Sequence, residues 1–377
     1  MDIYDLALTL TPRIGNSAAR HIIETFGSAR AAFEAPLEEL IRRGEINPLV
    51  AKSIVGQVAI GAARAEMEHC RRHGITAIAA TDPDYPRLLL DTSDRPHVLF
   101  AMGRTELLNY DTIAFVGTRQ MSPYGERAAI QIIRELSEKI DKLVIVSGIA
   151  YGVDAASHRA ALKFDVPTIA VLPNPLPAIT PALHTNLARE IISKGGLLIT
   201  EQRSTLRNVG RTFIARNRII AGISSATVVV ESGAKGGSIS TAKNAYDNGR
   251  LVMAVPGRIT DSSSFGCNKL IADGIASPLY STERFVFSLG WQDRSPHIGA
   301  ESVAEDGFDL SVLSEDLLGL LKCFRHDEPL HISTLQELTS LSVGELCGML
   351  MELEIYGFAK SLSGAFYERV IPYKRLK

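Results

Sequence analysis

The sequence lacks the features of several protein classes. Its 377 residues contain four cysteines, at scattered positions without C-x-x-C spacing or a neighbouring pair of histidines, so we expect buried thiols in a reducing cytoplasm and neither disulfides nor a metal site. No apolar run reaches the roughly 18 residues that a membrane span requires. The N-terminal stretch "MDIYDLALTLTPR" has no basic region and no small-residue cleavage site, so we expect no secretory signal.

A nucleotide-binding signature is also missing where one is expected. The stretch "IAFVGTRQMSPYGERA" at 113–128 reads as a buried strand, a small polar loop and a helix, a junction that often holds a phosphate. The loop is neither G-x-G-x-x-G nor G-x-x-x-x-G-K-[ST], which argues against a dinucleotide or a nucleoside triphosphate. We therefore predict no cofactor, and Gly117, Thr118 and Arg119 require another ligand.

Charge is unevenly distributed along a chain whose net charge is only −2. Between residues 201 and 258, nine Lys and Arg face three Asp and Glu; from 296 to the end, seven basic residues face thirteen acidic ones. We therefore expect any anionic ligand to bind the middle of the chain.

The hydrophobic pattern predicts three domains. Short helical stretches over residues 1–80 indicate a small helical domain of the SAM or helix-hairpin-helix type, in which "TPRIGNSAARHII" either faces a phosphate through Gly15 or serves packing alone. Over 81–290, Val- and Ile-rich strands alternate with helical stretches, which predicts an α/β, Rossmann-like, doubly wound parallel sheet. A polar linker at 291–308 precedes three helices and a hairpin over 309–377, the plan of a winged helix.

Loops rich in small residues follow several predicted strands: "VGTR", "SGIAYGVD", "VVVESGAKGGS" and "VPGR". Ligands of such sheets bind at the carboxyl ends of the strands, and glycine there permits close approach of a ligand to the backbone. Beside them, "RSTLRNVGRTFIARNRIIAG" places an aromatic residue among arginines, an arrangement that suits a nucleic-acid backbone with stacking bases, although a charge run often forms only a solvated surface. The residues concerned are Arg203, Arg207, Arg211, Phe213, Arg216 and Arg218. We expect Arg216 and Arg218 to lie at the start of a helix, on the rim of the sheet.

Catalytic constellations are scarce. Asp154 and His158, four residues apart on one predicted helix, are compatible with an acid/base pair, although such a pair more often caps and solvates its own helix. No second carboxylate, Cys–His pair or metal-spaced cluster accompanies them, and we predict that the protein is not an enzyme.

Five stretches together resemble the DNA-processing protein A (DprA, or Smf) family. They are "VGTRQMSPYG" at 116–125, "SGIAYGVDAASHRAAL" at 147–162, "RNRIIAGISSATVVVESGAKGGSISTA" at 216–242, "GRLVMAVPG" at 249–257 and "GCNKLIADG" at 266–274. The resemblance covers the whole central domain in the same order, and it extends less specifically to the helical and winged-helix parts. It departs at "PNPLPAITPALH", where prolines replace a flexible Gly-rich stretch, Ala182 replaces a DNA-contacting Lys and His184 replaces Asn.

The resemblance implies a cytosolic, non-enzymatic dimer of natural transformation that holds single-stranded DNA, protects it and loads the RecA recombinase onto it. Its G-[ST]-R element corresponds here to Gly117, Thr118 and Arg119, which would contact phosphates. From the resemblance and the strand-end loops together, the predicted DNA-binding residues are Gly117, Thr118, Arg119, Ser147, Gly148, Phe213, Arg216, Asn217, Arg218, Gly236, Gly237, Ser238 and Lys243.

An alternative interpretation belongs to another class. The loop "ESGAKGGSIST" is also similar to the Gly-rich loop of nucleoside-monophosphate phosphoribohydrolases, which are Rossmann-like enzymes. Such an enzyme requires a catalytic Glu and Arg near that loop, and Glu231 with Arg216 or Arg218 are the candidates.

Overall fold

The computed structural model describes residues 1–207, 210, 212–291, 313–324, 330–339, 341–356, 358–362 and 365–369. The chain forms two compact units, Met1–Pro296 and His297–Lys377. Apart from Trp291, the predicted linker at 291–308 lies outside the described residues, as does Arg211.

Six helices open the first unit. Helices α1 to α6 span Ile3–Leu10, Asn16–Phe26, Ala29–Glu34, Leu37–Arg42, Pro48–Val55 and Ile60–His73. Local signals set their ends: Asp2 caps α1 in a capping box with Asp5, and Gly27 ends α2 in the left-handed conformation. Their apolar side chains share one core with Val98, Phe100 and Leu198 of the sheet, so these helices form a layer on the sheet.

A nine-stranded sheet forms the centre of this unit. Strands β1 to β9 span Thr76–Ala79, Val98–Gly103, Asp111–Val116, Leu143–Ser147, Thr168–Val171, Leu197–Thr200, Ala226–Val229, Leu251–Ala254 and Ser277–Pro278. Their spatial order is β1-β2-β6-β5-β4-β3-β7-β8-β9. In this spatial order the last seven strands, from β6 through β3 to β9, are parallel. The predicted doubly wound parallel sheet is thus confirmed for these strands, whereas β1 and β2 at one edge are antiparallel. The domain boundary predicted at residue 80 falls after β1, which already belongs to the sheet.

Helices cover both faces of the sheet. Helices α7 to α14 span Arg87–Leu90, Pro123–Ser137, Val153–Lys163, Thr185–Ser193, Thr212–Gly222, Gly237–Asp247, Phe265–Ala272 and Thr282–Ser288. Side chains of β3 alternate between two cores, with Ile113 and Phe115 packed against α8, α9 and α14, and Ala114 and Val116 packed against α11 and α12. The alternation explains the unbroken apolar run of this strand.

The strand order reverses beside β3. From β3 the chain adds β4, β5 and β6 on one side, then crosses to the other side of β3 to add β7 and β8. The loops that follow β3 and β7 are therefore neighbours and diverge from one another. In open α/β sheets, such a switch point creates a crevice at the carboxyl ends of the strands.

The second unit is a small winged helix, as predicted. Its helices α15, α16 and α17 span Glu315–Cys323, Ile332–Thr339 and Val343–Ile355. Strands β10, β11 and β12 span Leu330–His331, Ala359–Leu362 and Phe366–Arg369, in the order β10-β12-β11. Leucines of the three helices form the core, together with Phe324 and Phe358.

Candidate nucleic-acid interface

A cavity of about 480 Å³ lies at the switch point between β3 and β7. Four chain segments surround it: the loop after β3, the loop after β4 with the start of α9, the loop after β7 that leads into α12, and one side of α11. Its lining consists of Val116, Gly117, Thr118, Arg119, Gln120, Ala150, Asp154, Phe213, Ile214, Arg216, Asn217, Ile220, Ser232, Gly233, Lys235, Gly236, Gly237, Ser238 and Thr241. Nine of the thirteen predicted DNA-binding residues are in this set.

The loop after β3 is fixed by its neighbours. The Thr118 amide donates to the Glu231 carbonyl at 2.7 Å, and the Thr118 carbonyl accepts from the Val153 amide at 3.2 Å. Gly117 is required here because an added Cβ would lie 2.4 Å from Cγ2 of Val153. Arg119 follows Thr118 and is exposed, and its guanidinium lies over the ring of Phe213, 5.4 Å from the ring centroid.

Arg216 forms the floor of the cavity. Its side chain is 4% exposed, and Nη1 donates to the carbonyl of Gly148 at 2.6 Å and to the carbonyl of Val171. Burial lowers the pKa of Arg216 to about 10, although the carboxylate of Asp154 opposes that shift. Arg216 thus remains protonated at neutral pH.

Asp154 is the buried carboxylate of the cavity. Burial raises the pKa of Asp154 above its ordinary value, and the positive charge of Arg216 opposes the rise. Its Oδ2 accepts from the Ala150 amide at 3.2 Å. Asp154 offsets part of the charge of Arg216, which is itself buried. Arg119 and Lys235 are the exposed cations of the lining.

The loop after β7 supplies backbone amides. Helix α12 begins at Gly237 beside the cavity, and no side chain caps its first turn, so its first N–H groups are suited to receive an anion. The hydroxyls of Ser232 and Ser238 lie 2.9 Å apart, and Asn217 Nδ2 donates to the Gly237 carbonyl at 3.1 Å. The amide of Asn217 thus joins α11 to the first turn of α12.

Arg216 and Arg218 lie in the middle of a helix, and the expectation that they begin one is wrong. Helix α11 starts at Thr212, and Phe213 and Ile214 of its first turn already line the cavity. Side chains two residues apart on an α-helix diverge by about 200°. Arg216 consequently faces the cavity, whereas Arg218 pairs with Glu201 at 2.6 Å and with Asp94 at 3.2 Å.

Three other predicted residues also lie outside the cavity lining. Ser147 is fully buried and donates to the Phe115 carbonyl at 2.6 Å, and the backbone of Gly148 is in contact with the Arg216 guanidinium. Lys243 is exposed on α12, two turns from its N-terminus. Ser147 and Gly148 therefore support the floor of the cavity from below.

Asp154 and His158 do not form the solvated capping pair that the sequence favours. His158 is fully buried, and Nδ1 lies 2.7 Å from the hydroxyl of Thr168, which itself donates to the Ile145 carbonyl. Nδ1 is thus the protonated nitrogen, and burial lowers the pKa of His158 to about 3. Sequence reasoning missed Asp154 as a cavity residue, although its position just after the β4 loop was a usable signal.

Glu231, the candidate catalytic carboxylate of the alternative enzyme, is 2% exposed and outside the cavity lining. It accepts from the Ser122 amide at 2.8 Å, the Ser122 hydroxyl at 2.7 Å and the Ser263 hydroxyl at 2.8 Å. These bonds give it a structural role in holding the start of α8. Among the described residues, no three His, Cys, Asp or Glu side chains converge on a possible metal position.

The proline-rich segment after β5 is held against the β4 loop. The ring of His184 is 4% exposed, and its Nδ1 donates to the Ile149 carbonyl at 2.7 Å. Tyr151 contacts the same ring edge to face, at a centroid distance of 5.0 Å.

Comparisons with known proteins identify relatives of both units. A family model described as DNA recombination-mediator protein A matches residues 76–290, and one described as the DprA winged helix domain matches residues 305–365. The chain is 34% identical over 292 residues to Protein Smf of Escherichia coli strain K12, covering 77% of this chain and 76% of that protein.

Two solved structures extend the similarity. DNA processing protein A from Streptococcus pneumoniae matches with a TM-score of 0.66 at 30% identity, covering 76% of this chain and 98% of that one. DNA processing protein A from Helicobacter pylori, described for its unique single-stranded DNA binding mode, matches with a TM-score of 0.51 at 29% identity, covering 57% and 95%. In the described part of this chain, no helix is long and apolar enough to cross a membrane.

Proposed function

The chain belongs to the DNA recombination-mediator protein A family, and on that premise we propose that it binds single-stranded DNA, protects it and loads a RecA recombinase onto it in natural transformation. We propose further that it acts in the cytoplasm as a homodimer, without catalysing a reaction. One observation carries the DNA-binding proposal: an exposed cation, an aromatic ring and an uncapped helix N-terminus meet in one cavity.

Phosphate recognition rests on Arg119 and on α12. Within the described chain, Arg119 forms no ion pair, so its guanidinium is available to grip a phosphate with two hydrogen bonds. The amides of Gly237 and Ser238 offer further donors at the positive end of the helix dipole. Beneath them, the buried charge of Arg216 favours an anion without contacting solvent.

Base recognition rests on Phe213. Its ring packs against Arg119, so a base stacked on Phe213 brings its own phosphate close to that guanidinium. Such stacking tolerates every base, because each has a π-face, and a duplex hides these faces. We therefore propose a preference for single strands without strong sequence preference.

The predicted residues divide into four groups under this proposal. Gly117, Thr118, Arg119, Phe213, Asn217, Gly236, Gly237 and Ser238 form the surface that meets DNA. Ser147, Gly148 and Arg216 hold that surface in place, and Lys243 extends its positive charge along α12. Arg218 is neutralised by two carboxylates, so we assign it the weakest contribution.

The testing experiment is a titration of a labelled oligonucleotide, single-stranded and as duplex, at two salt concentrations. We expect tighter binding of the single strand and an affinity that falls steeply with salt, because phosphate contacts release counterions. Equal affinity for duplex, or the release of ribose 5-phosphate from nucleoside monophosphates, would overturn the proposal. Recombinase loading is tested by the rate of RecA filament assembly on a single strand, with and without this protein.

A further inference from the structure

A second aromatic surface lies beside the cavity, on the same edge of the sheet. It consists of Tyr151, after β4, and of Leu183 and His184, after β5; we call it the Tyr151 platform. Tyr151 is 44% exposed and Leu183 is 76% exposed, and none of the three residues lines the cavity. The exposed faces of Tyr151 and Leu183 next to the loop that leads into the cavity make the platform a candidate contact surface.

The platform is rigidly built. His184 donates Nδ1–H to the Ile149 carbonyl and is almost fully buried, so its ring is fixed. Tyr151 packs against this ring at an interplanar angle of 61°. Ile149 adopts a φ of +60°, a left-handed conformation that is costly for a β-branched residue and that the surrounding contacts maintain. An aromatic side chain held in this way loses little conformational entropy when it stacks on a ligand.

The platform is adjacent to the loop that carries Arg119. Gly152, which follows Tyr151, has a φ of +72°, and an added Cβ would lie 2.2 Å from the Thr118 carbonyl oxygen and 2.8 Å from Cα of Arg119. The backbones of the two loops are therefore in contact. Because adjacent strands lie about 4.8 Å apart, β3 and β5 are separated by roughly 10 Å, a distance that one or two nucleotides span.

We propose that Tyr151, supported by His184, is a second base-stacking subsite, which takes a nucleobase neighbouring the one stacked on Phe213. The inference rests on the proposed binding of single-stranded DNA and deepens it. Arg119 lies between the two aromatic surfaces, with its guanidinium over Phe213 and its backbone against Gly152. A phosphate held by Arg119 then links two stacked nucleotides, one on each side.

The experiment compares Tyr151→Ala with Tyr151→Phe, using oligonucleotides that carry 2-aminopurine at successive positions. Stacking contributes about 1–3 kcal/mol per base, so Tyr151→Ala should weaken single-strand binding by about fivefold or more. Tyr151→Phe should bind like the wild type. Stacking quenches 2-aminopurine, and Tyr151→Ala should restore fluorescence at one position while leaving quenching at the Phe213 position. Tyr246→Ala, which removes an exposed tyrosine from the far end of α12, is the matched control.

The outcomes separate this inference from the function on which it rests. If the wild type does not bind single strands, the proposed function fails. If the wild type binds and Arg119→Ala weakens binding, but Tyr151→Ala binds normally and quenches 2-aminopurine at every position, only the platform is refuted. Equal losses in Tyr151→Phe and Tyr151→Ala also refute it, because the hydroxyl would then carry the contact. Tyr151→Leu keeps the apolar bulk but removes the aromatic ring, and its melting temperature shows whether the variant folds normally. Weakened single-strand binding at a normal melting temperature supports stacking on Tyr151. Normal binding by Tyr151→Leu refutes the stacking subsite.

Discussion

The guanidinium of Arg119 lies over the ring of Phe213, 5.4 Å from its centroid, although the two residues are 94 positions apart in sequence. Arg119 follows β3 and Phe213 is in the first turn of α11, which crosses from β6 to β7. The contact thus brings a cation and an aromatic ring together at the switch point of the sheet.

We predict that Arg119→Ala weakens single-strand binding to a similar extent for all base sequences, because a phosphate contact carries no sequence information. The slope of log affinity against log salt should decrease by about one unit. Fluorescence anisotropy at several salt concentrations measures both quantities. Arg134→Ala, which removes an exposed arginine from α8, is the control. An unchanged salt slope in Arg119→Ala would remove this loop from the interface.

Arg216 should prove essential for stability as well as for binding. Reversal to Glu would bury a carboxylate beside Asp154, and Arg216→Met leaves Asp154 without its countercharge. We expect Arg216→Met to lower the free energy of unfolding by about 1–3 kcal/mol, because the buried carbonyls of Gly148 and Val171 lose their donor and Asp154 loses a neighbouring positive charge. Adding Asp154→Leu should recover part of that loss, and denaturant unfolding of the three variants measures it. Strict additivity of the two substitutions would contradict the coupling.

Gly152→Ala should disturb the interface more than the same change elsewhere. Gly152 has a φ of +72° and no room for a Cβ against the Thr118 carbonyl, so alanine forces apart the loops after β3 and β4. Gly249→Ala is the matched control, since Gly249 has a φ of +67° but nothing within 4 Å of the added Cβ. Both positions have a positive φ, and only Gly152→Ala, whose added Cβ also meets the neighbouring loop, should lose most of its affinity for single-stranded DNA. Equal affinities would show that this loop contact is dispensable.

Acid should destabilise the first unit partly through His158. Its pKa is about 3 in the folded protein and about 6.5 when unfolded, so the unfolded state binds more protons between these values. This contribution is complete above pH 6.5 and is lost as pH falls towards 3, at up to about 1.4 kcal/mol per pH unit. His158→Gln, which cannot titrate, should show a shallower decline in unfolding free energy over this window. Parallel curves for the two proteins would show that His158 does not contribute.

Truncation after about Asp293 should leave single-strand binding largely intact. In a winged helix that reads duplex DNA, the third helix requires basic and polar side chains. The corresponding helix here, α17, contains Glu345, Glu352 and Glu354 and no Lys or Arg, and it exposes Met351 and Ile355. Such a surface repels phosphate and suits a protein partner. Anisotropy with the full chain, the truncated chain and the isolated tail tests this; duplex binding by the tail would contradict it.

The sequence by itself determined the elements and the chemistry of their ends. Unbroken apolar runs rich in Val and Ile, such as that of β4, specify buried parallel strands, because both faces of those strands must be covered. Gly117 and Arg119 were recognisable as a ligand loop because a strand precedes them and a helix follows. These signals are local in sequence.

Only the tertiary structure decided which of these residues meet. Arg216 and Arg218 look equivalent in sequence, yet a helix that starts at Thr212 directs one to the cavity floor and the other to Glu201. The direction of each arginine follows from where that helix begins, and the strand order that creates the switch point has no local signal. Tyr151 and His184 likewise come together only because β4 and β5 are neighbours, which long-range pairing alone establishes.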